Sequence, residues 1–583
     1  MEKTGSFTFV IYSHIPYVTS PDRFSDDINR LHEATAECYI PLLNALSRLV
    51  DEGISPKVVV GFSPLLTEMV TNDSFKDDFV AYLEERIGAA ESDLVDFEKL
   101  GKKHLTMLAR MWREFYSFIL DDFTAKFKGD ILKPFAELQE EGHIEIITSG
   151  ATSGYLPLLS RDESIHAQIS QAVASHKRHF GKEPRGLWLP EHGYRPSGLW
   201  QSPVESTDGG GNNSPYQRGG IEEFPGKCGI EYLITDTHLL NGDEPLGISL
   251  ESPTSLKEPW ELYGGNQTVS RDNPGRSPYS TYQLCGAESD ATPLTLFVKD
   301  PLTGRAVAGL NGGYPSDGNY LDFSRRQLSS NLRYWRVTGG DGDLIDREEY
   351  HPDRAFSSIA ANTEHFTQLV RETLREQKSH GKDGIVVSLF NATIFGQRWF
   401  EGHEWLYHAI ASLAQDVEIE RVTTGEYLEM GRPSERVTLS EGSWGGCGNH
   451  RLWLNDSNRW MWKRLYEAEQ EMVGLVNEYG DIEDNSNLNR ALQQAGRELL
   501  LLQSSDWPCL INTTSGRGFA EGRFIRHFED FKRLAEIARH VGREGALRKN
   551  DWAFLQLCTE RDDIFPDIEP LWFREIREKE KAF

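Results

Sequence analysis

Short apolar runs, each closed by glycine, proline or serine, alternate with longer stretches at helical spacing along the first two thirds of the chain. The first run, Phe7–Tyr12, leads into Ser13-His14-Ile15-Pro16-Tyr17. Its length predicts a strand, which puts His14 just past a strand end. Phe24–Val50 then carries Leu31, Ala34, Cys38, Leu42, Ala45, Leu46 and Leu49 at helical spacing. The β-branched Val58-Val59-Val60 predicts a second strand, closed by Gly61. From about 65 to 140 the pattern is helical and highly charged, too long for one crossover helix, which predicts a helical insertion. Ile144–Thr148 predicts a strand and His166–Phe180 a helix. Leu187–Leu189 predicts a buried strand that must stop at Pro190, because proline has no N–H for a sheet ladder. Glu191 therefore sits at a strand's carboxyl end, between Trp188 and Tyr194.

The alternation continues through Tyr232–Ile234, which is followed by Thr235-Asp236-Thr237-His238. Leu294–Val298 and Ala306–Ala308 predict a hairpin turning through Asp300-Pro301-Leu302-Thr303-Gly304. Phe356–Gln377 predicts a helix, Ile385–Leu389 a buried strand and Val417–Val422 a last strand. Two stretches rich in Gly, Pro and Ser, 202–220 and 241–292, predict long loops. Past about Gly431 the pattern changes. A loop of aromatics and glycines, Leu439–Asn455, precedes helical stretches at Trp460–Val476, Leu488–Gln503, Gly522–Val541 and Asp551–Glu560. The prediction is an α/β barrel over 1–430 and an α-helical domain over 431–583.

Composition narrows the function. The net charge of −28 over 583 residues disfavours a nucleic-acid backbone or an anionic membrane as partner and suits a neutral polymer. The acidic surface and the two long loops leave room for a protein partner. No apolar run is long enough to span a bilayer. The N-terminal residues lack a signal peptide's cleavage region, and six scattered cysteines without a CxxC pair read as reduced thiols. Together these predict a cytoplasmic protein without a metal site. A carboxylate at a barrel rim between aromatics suggests sugar chemistry, although a solvated loop glutamate is as good a reading of that stretch alone.

The rim segments, taken in order, carry a resemblance. They are Ser13-His14-Ile15-Pro16-Tyr17-Val18, Ala36-Glu37-Cys38-Tyr39-Ile40-Pro41-Leu42-Leu43, Ala151-Thr152-Ser153-Gly154-Tyr155-Leu156-Pro157 and Trp188-Leu189-Pro190-Glu191. Further along come Phe395-Gly396-Gln397-Arg398-Trp399-Phe400-Glu401-Gly402, Glu441-Gly442-Ser443-Trp444-Gly445 and Gln503-Ser504-Ser505-Asp506-Trp507-Pro508. Along almost its whole length the chain resembles glycoside hydrolase family 57, above all its α-1,4-glucan branching-enzyme group. The resemblance implies a (β/α)7 barrel closed by a helical C-terminal domain, a retaining double displacement on α-glucan or an oligosaccharide, and no metal or organic cofactor. A retaining mechanism needs two carboxyl groups about 5–5.5 Å apart, one as nucleophile and one as acid and then base.

Glu191 matches the family nucleophile. The acid/base aspartate falls on Asn391, and the next acidic position of that motif on Thr393. Of the paired histidines after the first strand only His14 remains, with Tyr12 at the other position. Ser153 replaces an expected histidine, Lys299 an arginine, Ala308 a tryptophan and Ser316 a glycine. The resemblance places His14, Tyr194, Lys299, Ser316, Trp399, Trp444 and Asp506 on the substrate. An amide neither gives nor takes a proton at neutral pH, so impaired or absent family chemistry is the first expectation. Three alternatives stand beside it. One is an active transferase with a relocated acid, for which Glu401 and His403 are nearest in sequence. Another is a non-catalytic glucan-binding or scaffold protein. The third is chemistry on a substrate whose leaving group needs no acid. Trp453, Trp460 and Trp462 could be further sugar platforms, but their spacing favours core packing for at least two.

Overall fold

The computed structural model describes residues 3–18, 26–204, 215–241, 275–284, 293–309, 312–338, 347–445, 448–481, 486–513 and 516–576. The Gly-rich run 208–213 and most of the predicted 241–292 loop lie outside these residues. Seven parallel strands surround one interior: β1 Gly5–Ser13, β2 Val58–Phe62, β3 Ile144–Ile147, β4 Gly186–Trp188, β5 Tyr232–Thr235, β6 Leu294–Val298 and β7 Gly384–Asn391. Parallel pairing runs from β7 through β1 and β2 to β3, and from β4 through β5 to β6. Two thinner joints close the ring. One is a parallel bridge between Thr148 and Leu187, and the other is the Asp300 N–H donating to the Val387 carbonyl at 2.9 Å. An eighth strand, Ile419–Arg421, pairs with the start of β1.

Strand periodicity explains the core. Alternate side chains point to opposite faces. Val10, Tyr12, Val59, Ile147, Trp188, Tyr232, Ile234, Phe297, Ile385, Val387 and Leu389 form a cluster inside the barrel. Their neighbours Phe9, Ile11, Val60, Leu187, Leu233, Leu296 and Val386 pack outward against the helices. Asn391 continues the inward parity of Ile385, Val387 and Leu389, and its register partner on β1 is Tyr12. The mouth position of residue 391 is therefore set by β7 itself.

Helices Pro64–Thr71, Asp73–Lys99, Lys103–Asp121 and Leu132–Glu140 fill the space between β2 and β3. The C-terminal region forms helices Arg459–Tyr479, Ser486–Leu502, Asp506–Ile511, Arg517–Glu544 and Lys549–Arg561. Trp453 and Trp462 are buried in its packing, as their spacing predicts, and Trp460 packs edge-on against Phe524. The hairpin predicted around Asp300 is not formed. Pro301–Ala308 is a helix, because Asp300 caps it by accepting from the N–H groups of Leu302 and Thr303 and Pro301 takes the first turn, where a missing N–H costs nothing. The predicted loops are also less plain than their composition. Gly198–Trp200 pairs antiparallel with Tyr216–Arg218, and Tyr282–Leu284 pairs antiparallel with β6.

The segment after β7 is anchored from outside the barrel. A π-helical turn, Thr35–Tyr39, packs against it, and a buried Arg333 bridges the two. Arg333 Nη1 donates to the Gln397 carbonyl at 2.8 Å and Nη2 to the Glu37 carboxylate. Gly396 lies at φ +131°, where a Cβ would fall 1.7 Å from the Glu37 carbonyl oxygen. Glycine is required here both for its backbone angle and for this approach. Gly396→Ala is expected to destabilise the protein by about 3 kcal/mol or more, read as the shift of the urea midpoint. A change within a few tenths of a kcal/mol would show that the two segments are not locked together.

Candidate active site

Glu191 sits on the turn that ends β4, and its backbone is in the left-handed region, φ 56° and ψ 21°, as is that of His192 at φ 46°. Each such non-glycine residue costs on the order of 1–3 kcal/mol and persists only where its surroundings hold it. Here the surroundings come from far along the chain. The Trp444 N–H donates to the Glu191 carbonyl at 3.2 Å, and the Trp444 indole N–H donates to Glu191 Oε2. Ser505 Oγ donates to Glu191 Oε1 at 2.9 Å. Both carboxylate oxygens are thus fixed, one by the aromatic loop and one by the C-terminal domain. Burial raises the Glu191 carboxyl above its ordinary range, and the nearby Asp506 charge adds to this. The Trp444 and Ser505 hydrogen bonds and the His14 charge oppose it without cancelling it.

Asp506 reaches the same site from the start of helix Asp506–Ile511. His14 Nε2 lies 3.1 Å from Asp506 Oδ2, and His14 Nδ1 lies 2.9 Å from Ser63 Oγ, beyond β2. Ser504 Oγ donates to Asp506 Oδ2 at 2.8 Å. Burial works against a charge on His14, but the Asp506 carboxylate and its hydrogen bond more than offset it, and the net shift is upward. One backbone and one side-chain contact further seat the helical domain on the rim. The Ser505 N–H donates to the Ser153 carbonyl at 3.3 Å, and Gln168 Nε2 donates to Gln503 Oε1 at 2.9 Å.

Asn391 ends β7 and caps the turn Ala392–Ile394. Its Oδ1 accepts from the Thr393 N–H at 3.0 Å and from Thr393 Oγ1 at 2.8 Å. The amide oxygen is therefore committed to its own loop. Beside it on β1, its register partner Tyr12 stacks on Trp188 with ring centroids 4.5 Å apart, and Trp188 meets His192 at 4.9 Å. Lys299 Nζ lies 3.7 Å from Asp236 Oδ2 beyond β5, and His238 Nδ1 lies 3.3 Å from Asp236 Oδ1. Burial would raise the Asp236 carboxyl, but Lys299, His238 and His192 together hold it far below the carboxylate range. Burial pushes the His192 imidazole down to about 3.

The remaining predicted residues are placed differently. Trp399 is wholly buried among Tyr314, Tyr320 and Trp405. A sugar platform needs an open face, so Trp399 is corrected to a core residue. Tyr194 is also buried, its hydroxyl donating to Glu222 Oε2 at 2.8 Å and its backbone paired with Gly442. It supports the Trp444 loop and offers no ring to a sugar here. Ser316 is exposed and donates to the Gly313 carbonyl at 2.6 Å. Trp444 keeps a partly open ring, set edge-on against Trp453 at 5.5 Å. Glu401 is buried, accepts from the Leu321 N–H at 3.1 Å and is pushed up to about 7 by that burial; His403 is lowered by burial. Sequence reading passed over three members of the site. Ser505 stood beside Asp506 in a motif already in view, Asp236 followed a strand end as His14 and Glu191 do, and Ser63 followed the end of β2. Position after a strand was the signal for the last two.

Comparison with known proteins gives the family. Residues 8–313 match the model for glycosyl hydrolase family 57, and residues 464–573 match the model for the C-terminal region of 1,4-alpha-glucan branching enzyme. The chain belongs to glycosyl hydrolase family 57. A 1,4-alpha-glucan branching enzyme of Thermococcus kodakarensis is 34% identical over 97% of this chain and 78% of its own. The crystal structure of a family 57 branching enzyme from that archaeon, in complex with glucose and additives, superposes with a TM-score of 0.85 at 32% identity, covering 98% of this chain and 97% of that one. A family 57-type branching enzyme from Pyrococcus horikoshii gives 0.84 at 33%, with the same coverage. The α-amylase AmyC of Thermotoga maritima, at 24% identity over 98% of this chain and 100% of its own, shares the fold with a TM-score of 0.78. No helix among the described residues is long and apolar enough to cross a membrane.

The His14–Asp506 pair ties the barrel to the helical domain and carries a pH signature. Because the folded-state pKa of His14 is raised, its contribution to stability is complete below the unfolded value of about 6.5 and is lost as pH rises through the folded value. The stability gap between wild type and His14→Gln is expected to shrink as pH rises above about 6.5. A gap that is constant from pH 5 to 9 in denaturant melts would mean that His14 titrates alike in the folded and unfolded chain and that the Asp506 pair does not shift it.

Proposed function

We propose that the chain is a family 57 protein of the branching-enzyme type that binds α-1,4-glucan in the cleft between barrel and helical domain and carries out the retaining reaction weakly or not at all. One observation carries this reading. Position 391, where the family places its acid/base, holds an amide whose oxygen is already taken by Thr393. Four carboxylates around the mouth are engaged elsewhere. Asp236 is held ionised by Lys299 and His238, and Asp506 is paired with His14 and Ser504. Asp300 accepts from Tyr279, Leu302 and Thr303 as a helix cap, and Glu401 is buried under Leu321. Loss of general acid/base catalysis typically costs about 10²–10⁴-fold. The free thiols at Cys38, Cys228, Cys509 and Cys558 agree with a cytoplasmic setting.

Incubation with amylose, followed by counting new α-1,6 branches and reducing ends, tests the reading. Wild type is expected to fall about 10²-fold or more below Asn391→Asp, since an aspartate can keep the turn cap with one oxygen and use the other as acid/base. Robust branching by wild type, removed by Glu191→Gln, would overturn it.

A second reading, glucan binding without chemistry, is favoured by the partly open Trp444 ring beside the His14–Asp506 pair. Trp444→Ala is expected to abolish retardation on α-glucan in affinity electrophoresis, stacking being worth on the order of 1 kcal/mol before the loss of its hydrogen bond to Glu191. Absence of retardation for wild type on any α-glucan would exclude this reading.

A further inference from the structure

The site is uneven in a way that selects for substrate. Its attacking half is built. Glu191 lies at a strained turn at the barrel mouth, with Oε2 held by Trp444 and Oε1 by Ser505, so that a negative charge on the carboxylate meets fixed donors rather than water. The half that would protonate a departing sugar hydroxyl is not. Besides Asn391 and the committed carboxylates, three histidines of the mouth are held in place by their surroundings. His14 is fixed between Ser63 and Asp506, His238 Nε2 faces the Ser443 carbonyl at 2.7 Å, and His192 is buried against Trp188. A glucan hydroxyl is a poor leaving group as an alkoxide and must be protonated as it leaves. A weakly basic group leaves as an anion and needs no acid.

We propose that Glu191 takes α-glucosyl or α-maltosyl groups from donors whose leaving group departs unprotonated. The inference rests on the reading that position 391 supplies no acid. In the first step a Glu191 oxygen forms a bond to the anomeric carbon. The bond from that carbon to the leaving group breaks with its electron pair on the leaving group, and a β-linked glycosyl ester remains on Glu191. No proton moves. In the second step a nucleophile attacks the same carbon from the opposite face. The ester C–O bond breaks, its pair returns to the carboxylate, and the product is again α. Water or a sugar hydroxyl would need a base for this step; Asn391 is none, and the Asp236 and Asp506 carboxylates are engaged by Lys299 and His238 and by His14 and Ser504. The ester therefore accumulates, unless an anion already deprotonated supplies the attack.

α-Maltosyl fluoride is the probe, with sodium azide as the added anion. The intact chain is expected to release a burst of about one fluoride per molecule and then turn over slowly. Intact-mass and peptide analysis of the wild type are expected to find one maltosyl group on the peptide carrying Glu191. Azide is expected to raise the steady rate by about tenfold or more, recovering part of the 10²–10⁴ attributed to a missing base, and to give α-maltosyl azide. Glu191→Gln is expected to remove the burst. The adduct on wild type locates the nucleophile even if that variant fails to fold.

Fluoride release at the spontaneous rate, an adduct on another residue, or fast release that ignores azide and leaves no adduct would each overturn the proposal. If wild type also branches amylose efficiently, the reading of position 391 fails and this inference fails with it. If amylose is untouched and fluoride release stays spontaneous, only the inference fails.

Discussion

A carboxylate that is to attack carbon has to be held by donors from outside its own strand, and in this molecule those donors arrive from more than 250 residues away. The Trp444 indole and the Ser505 hydroxyl fix the two oxygens of Glu191, at sequence separations of 253 and 314. Both donors depend on the helical domain being seated on the barrel. That seating rests on buried contacts, among them the His14–Asp506 pair, the Ser505 N–H on Ser153 and the amide pair of Gln168 and Gln503. The left-handed backbone at Glu191 and His192 is affordable only in this closed arrangement. Domain docking and nucleophile geometry are one constraint.

The opposite side of the mouth follows another logic. Position 391 is fixed by the register of β7 on β1 and by a shell outside the barrel, in which Arg333 joins Glu37 to the Gln397 carbonyl and Gly396 lies against the π-helical turn. This scaffold is intact although the residue it presents has no acid chemistry. Breaking a buried ion pair such as Glu37–Arg333 costs about 3–5 kcal/mol, whereas exchanging a carboxylate for its amide at a turn cap costs little, because both accept from Thr393 in the same way. Stability therefore protects the frame around position 391 and is nearly indifferent to whether Asp or Asn stands there.

Much of the fold could be read from period alone. Inward and outward positions on β1, β4, β5 and β7 alternate as strands must, and Pro190 ends β4 where a proline has to. The long charged stretch after β2 is helical because it has helical spacing and no β-branched runs. What escaped was set by tertiary partners. Asp300 looks like the corner of a hairpin until its carboxylate is seen to accept the first N–H groups of a helix. Trp399 looks like a platform because it follows the Asn391 motif, yet Tyr314, Tyr320 and Trp405 enclose it. The strand-end carboxylate was visible at Trp188-Leu189-Pro190-Glu191, whereas the donors that hold it were not, since no local pattern tells a loop tryptophan or a serine which carboxylate it will meet.

The two sides of the mouth together define what kind of alteration this site represents. A cleft losing all function has no reason to keep a strained nucleophile turn, since left-handed backbone at two non-glycine residues costs stability and relaxes when its partners are lost. Here the partners persist, while Tyr12, Ser153, Asn391 and Lys299 stand where the family resemblance leads one to expect a histidine, a histidine, an aspartate and an arginine. Tyr12 is no idle filler, because its ring stacks on Trp188 and fills the barrel interior where a smaller ring would leave space. Lys299 trades a planar fork for a point charge and is answered by Asp236, which its presence keeps ionised. These neighbours are adjusted to one another. On the function proposed above, they describe a cleft in which glycosyl capture by Glu191 is uncoupled from proton transfer at position 391.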